Sequence, residues 1–151
     1  MGLLKKTIGK YPNGVWLALI ALLLAFLGWI MQAYSLINWE NAVAFGLQNG
    51  SFNGDSLDVA QATKEKGEAI ADLLWAFPIT IIAFVGLLKR RFIGFVAAMM
   101  TFAICVYFPL FYVFQLWNNN FDTAIAAVLL WGIPSLIGIV GLWSSREIFK
   151  N

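Results

Sequence analysis

Five polar residues, Asp58, Gln61, Glu65, Glu68 and Asp72, step along the chain by 3, 4, 3 and 4 positions, the spacing that gathers side chains on one face of an α-helix. Such a row has three chemistries open to it: attraction of cations, ligation of a hard metal such as calcium through oxygen, and pairing with a basic partner. Against these stands a plain solvated helix face, its charge partly offset by Lys64 and Lys66. Like charges one turn apart repel, and calcium sites recruit loop oxygens as well, so the row reads first as solvated surface. Asp72 has the strongest claim to more. Beyond it the same face continues as Trp75, Ile79, Ile82 and Gly86, which makes it the junction between a polar and an apolar stretch.

A second candidate is a cleft bordered by Gln32, Trp75 and Trp131. Trp29 and Trp131 lie too deep in apolar runs for an interfacial role, and a deep indole N–H needs an acceptor. Core packing explains them more simply than a flat ligand. Gln32 is the natural hydrogen-bond donor between helices. Pro78, Pro109 and Pro134 each follow an aromatic residue, in "WAFP", "YFP" and "WGIP", and are expected to kink their helices by removing a backbone donor and crowding the preceding turn. No repeat beyond this shared detail is strong enough to argue duplication. The aromatic run Val106 to Trp117 suits a lipid face or a flat hydrophobic ligand.

Missing residue types narrow the chemistry further. The chain has no histidine and one cysteine, Cys105, which excludes His-ligated haem, His-based metal sites, His-dependent triads and an intramolecular thiol relay. No phosphate-binding glycine loop and no G-x-S-x-G motif is present. No catalytic residue, metal site or cofactor is therefore expected.

The elements that must carry these residues follow from composition. Hydrophobic residues make up 61% of the 151 and charged ones 12%, with a mean hydropathy of +0.78; soluble domains do not look like this. A bilayer core needs about 20 apolar residues per helix, and four stretches qualify, 15–37, 69–88, 92–117 and 121–143. Lys5, Lys6, Lys10, Lys89, Arg90, Arg91, Arg146 and Lys150 fall in the N-terminal tail, the second connection and the C-terminal tail. Four spans put these three segments on one side, which the positive-inside rule makes the cytoplasm. The N-terminal apolar run is too long for a signal-peptide core and is read as an uncleaved span. Trp16 and Trp143 suit the inner interface, and Trp39, Trp75 and Trp117 the outer one.

The connections differ in length. Lys89 to Arg91 and Asn118 to Asn120 are tight turns, so the last three spans run up and down, whereas the first outer segment covers 38–68. Trp39, Val43 and Leu47 in it fit a short helix in the headgroup layer, "NGSFNGD" is a turn containing the sequon Asn49-Gly50-Ser51, and Asp55 with Asp58 marks a helix start near Ser56. Ala18, Ala21, Ala25, Gly28, Gln32 and Ser35 form one seam of small and polar residues, as close helix packing in lipid requires. The expected protein is an all-α, four-helix up-down bundle forming a single domain over 1–151, multi-pass in the cytoplasmic membrane with both termini inside. The expected function is that of a non-enzymatic accessory or scaffold subunit. Its partners are the lipid bilayer and other membrane subunits or further copies of itself, not nucleic acid. The alternative is binding or passage of a small hydrophobic molecule or cation through a cleft at the kinked outer ends. A weaker one is an enzyme using the stripe carboxylates.

Overall fold

The computed structural model describes residues 2–116 and 121–149. The turn expected at 118–120, the anchoring role of Trp117 and the charge of Lys150 fall outside them. The chain is mostly helical, and four helices are long and apolar enough to span a membrane: Asn13–Ile37, Ser56–Leu88, Phe92–Leu116 and Phe121–Ser144. In chain order the elements begin with α1 (Gly2–Lys5), a small antiparallel ribbon of β1 (Thr7–Ile8) and β2 (Tyr11–Pro12), and the long helix α2 (Asn13–Ile37). They continue with α3 (Trp39–Ala44), α4 (Ser56–Ala71), α5 (Phe77–Leu88), α6 (Phe92–Leu116), α7 (Phe121–Ala127) and α8 (Ile133–Ser144). The ribbon, with Ile8 opposite Tyr11, is an addition to the all-α expectation. The residues divide into two compact units, Met1–Ala25 with Ile79–Asn151, and Phe26–Pro78.

Two of the four long helices are interrupted in the same way. A π-helical turn, Asp72–Ala76, joins α4 to α5, and another, Val128–Gly132, joins α7 to α8. Pro78 and Pro134 each stand two residues past such a turn. A proline cannot donate to the carbonyl four residues back and its ring crowds that turn; widening the helix before it by one residue relieves the crowding. The widened hydrogen bonds run from Phe77 N–H to Asp72 O and from Ile133 N–H to Val128 O. Pro109 lies inside the continuous helix α6 and has no π-turn before it.

In the larger unit the core gathers Val15, Ala18, Leu22, Ala83, Leu87, Ala98, Phe102 and Leu142. Small residues let backbones meet. A Cβ on Gly14 or on Gly141 would overlap the backbone of the other, and the same holds for Gly86 and Gly94. Gly138 lies against the Phe102 ring, and the Thr80 and Thr101 hydroxyls, both buried, are 3.3 Å apart. The opposite faces of the long helices expose Ile20, Leu23, Ile82, Val85, Leu110, Leu136 and Val140. Apolar side chains turned outward along whole helices have no counterpart in ordinary soluble surfaces.

The N-terminal segment of this unit is fastened down. Helix α5 ends with Arg91 N–H on Gly86 O and Arg90 N–H on Leu87 O, the bond pair that closes a helix through a left-handed residue. That residue is Arg90, at φ 53, in a position where glycine is usual. Its guanidinium donates to the carbonyl of Lys10 and lies 5.2 Å from the centre of the Tyr11 ring. The Tyr11 hydroxyl donates to Leu88 O at 2.7 Å, and the Trp16 indole to Ile8 O at 3.0 Å.

Candidate functional site

The stripe carboxylates sit on α4 and its π-turn, within the unit Phe26–Pro78. Asp55 starts α4 by accepting from the N–H groups of Leu57 and Asp58 at 2.8 and 3.1 Å, which satisfies two of the donors that a helix start leaves open. Ser56–Leu88 is helical over 33 residues, the π-turn included.

The five stripe residues do not share one environment. Asp58 is exposed. Glu65 is only 3% exposed and is fully engaged: it accepts from the Asn49 backbone N–H at 2.6 Å, the Asn49 side-chain amide at 3.0 Å and the Gln61 amide at 2.5 Å. Three donors converging on one buried carboxylate make a strong, charge-assisted anchor. Glu68 stands one turn on and pairs with Lys64 at 3.7 Å, a half-exposed i,i+4 contact of small energetic weight. Asp72, at the head of the π-turn, is 6% exposed. Its contact is the Gln32 amide at 3.5 Å, and the Gln32 carbonyl oxygen accepts from the buried Gln48 at 2.6 Å. A chain of amides thus runs from Gln48 through Gln32 to Asp72.

Glu40 does for the far side of the loop what Glu65 does for the near side. It accepts from the Ser51 hydroxyl at 2.6 Å and the Phe52 N–H at 3.0 Å. The Trp39 indole donates to Gly50 O at 3.1 Å, its ring lies 5.6 Å from that of Phe52, and the Lys66 ammonium sits over the Phe52 ring, 5.1 Å from its centre. Trp39 is therefore the buried centre of the 39–52 segment, not an exposed interfacial anchor. Gly50, at φ 76, packs its bare Cα against the Asp58 and Ala62 backbone. The segment is a folded cap, held by two carboxylates that receive its backbone N–H groups. The side-chain nitrogen of Asn49, where a sequon carries its glycan, is the same nitrogen that Glu65 holds.

The cleft residues are placed differently from one another. Gln32 belongs to the amide chain. Trp75 is 64% exposed. Trp131, in the larger unit, donates its indole N–H to Leu24 O at 3.0 Å, the acceptor that a deep tryptophan requires. Among the described residues no three His, Cys, Asp or Glu side chains converge on a metal-sized space. The sequence reading passed over Glu40 and Gln48 as site residues. Their partners lie 11 to 16 residues away across an irregular loop, where no helical or strand period reports a contact. No protein-family model, curated protein or solved structure matches the chain.

Proposed function

We propose that the chain is a non-enzymatic, multi-pass protein of the cytoplasmic membrane with both termini in the cytoplasm. It acts as an accessory or scaffold subunit and offers the folded cap and the start of α4 to another membrane subunit or to a second copy of itself. The observation that carries this reading is the use made of the acidic residues. Glu40 and Glu65 spend their acceptor capacity on the loop at Asn49, Ser51 and Phe52, which commits these two acids to holding the cap in shape.

That surface is ordered before any partner arrives, which lowers the entropic cost of docking. It also carries large apolar side chains among polar ones, with Phe45 and Leu57 at 73% and 78% exposure. Exposed apolar anchors ringed by polar groups are what a protein partner buries.

Photo-crosslinking residues placed at Phe45 and Leu57 in membranes of the native host test the reading. Adducts with a discrete membrane protein, or with a second copy, are expected from both positions. Adducts with lipid alone, together with a monomer by native mass spectrometry from mild detergent, overturn it.

A further inference from the structure

The two π-turns point to a relation that the sequence hides. The first helix reads "AIADLLWAFPITIIAFVGL" from Ala69 to Leu87, and the second "AIAAVLLWGIPSLIGIVGL" from Ala124 to Leu142. Ala-Ile-Ala, Leu-Leu-Trp-x-x-Pro and Val-Gly-Leu occur in the same order in both. A one-residue shift before the tryptophan is undone after the proline, so a fixed-offset comparison misses half of the match. Both Leu-Leu-Trp stretches form the interior of a five-residue π-turn.

The glycine contacts agree with the same pairing. Gly86 and Gly141 are the glycines of the two Val-Gly-Leu triplets. Gly86 meets Gly94 near the start of α6, and Gly141 meets Gly14 near the start of α2. Exchanging the helix pair α2 and α5 for the pair α6 and α8 exchanges one glycine contact for the other. Two helical hairpins of one descent explain the shared triplets, the shared π-turns and the shared contacts together.

Between two copies, the informative position is the one that differs in kind. At the head of the π-turn the second copy has Val128 and the first has Asp72. The turn itself does not need a carboxylate. Asp72 is nonetheless buried, and no basic side chain pairs with it among the described residues: the two ion pairs there are Lys64 with Glu68 and Arg146 with Glu147. Glu68, one turn earlier, adds negative charge of its own. Among the described residues the Asp72 carboxylate has one polar contact, the long one from Gln32, in contrast to the three short donors on Glu65. A buried carboxylate in this condition is neutralised by a proton or by a cation; the Gln32 amide stands beside it, and Gln48 is hydrogen-bonded to the oxygen of that amide.

We propose that Asp72 is the anionic member of a binding site for a small cation, an alkali-metal ion or a primary ammonium, installed on one copy of a duplicated helix with Gln32 and Gln48 as its polar neighbours. The site is independent of which subunit the cap meets.

The test uses the full chain in detergent, with thermal unfolding followed in lithium, sodium, potassium or methylammonium chloride and, at equal ionic strength, in the chloride of bulky N-methylglucamine. Wild type is expected to gain roughly 5 °C or more in Tm from one of the small cations at a hundredfold excess over its Kd. Asp72→Val, which installs the second copy's residue, is expected to fold and to lose that gain, and Asp72→Asn to lose it too. An equal cation response in wild type and both variants overturns the proposal. So does a wild type that ignores all four small cations, which leaves Asp72 a protonated acid. Failure of Asp72→Val to fold while Asp72→Asn folds overturns the equivalence of the two turns, and the proposal with it.

Discussion

The turn at Asp72–Ala76 and the turn at Val128–Gly132 share a backbone conformation, a Leu-Leu-Trp core and a proline two residues on, yet their surroundings diverge. The second is apolar throughout, and its tryptophan is tied to a backbone carbonyl. The first opens on a buried acid, lies next to a polar helix of sixteen residues, and leaves its tryptophan exposed. Local backbone geometry is set by proline and its neighbours and survives the change. Polarity is set by single residues, so one substitution at the head of a turn separates a structural element from a candidate site.

Substitutions at both turns and around them break or sharpen this contrast. The largest effect is expected from Val128→Asp, which puts an unpaired carboxylate where no amide chain receives it; a loss of roughly 3 kcal/mol follows from the cost of such a charge in an apolar helix. The check is thermal or denaturant unfolding in detergent beside Asp72→Val, whose loss is expected to be much smaller. Similar losses from both would erase the distinction between the turns. Glu65→Ala comes next, at about 2–3 kcal/mol, because it leaves the buried Asn49 donors without an acceptor. Limited proteolysis should then cut within 45–55, whereas Glu68→Gln should stay within about 0.5 kcal/mol of wild type.

Gly86→Ala and Gly141→Ala are expected to cost about 2 kcal/mol each, and about equally, since each forces apart a backbone contact of the same design. A clear inequality in unfolding midpoints would weaken the equivalence of the two hairpins. A smaller effect than that of the glycine changes belongs to Arg90→Gly. Relief of the left-handed strain offsets most of the lost hydrogen bond, leaving a net change within about 1 kcal/mol. Hydrogen exchange at the 7–12 ribbon should nevertheless accelerate, because one of its fastenings is gone.

How much of this was legible beforehand depends on the range of the interaction. The four long helices, the start of α4 at Ser56 and the tight turn after Leu88 follow from apolar run length, from Asp55 as a cap and from a short basic connection, all local signals. The seam from Ala18 through Ala25 is buried as its spacing implies. The π-turns were not legible, because a proline in an apolar run signals a kink without saying how the helix accommodates it. The split of the acidic stripe was not legible either: a helical period places Glu65 and Glu68 near one another, but only the fold of the loop decides that Asn49 reaches one and not the other. Trp39 shows the same limit, since its composition and position fit an interface while its indole is spent on Gly50.

The Arg90 to Lys10 bond has a bearing on the order of synthesis. It joins residues eighty positions apart, with α2 and the helix ending at Leu88 lying between them in the chain. At a ribosome's pace of about 5–20 residues per second, the N-terminal ribbon waits several seconds for its partner. The bond can close only if the chain has crossed any intervening barrier an even number of times between the two residues. One arginine thus ties the N-terminal ribbon and the connection after Leu88 to one side of any such barrier.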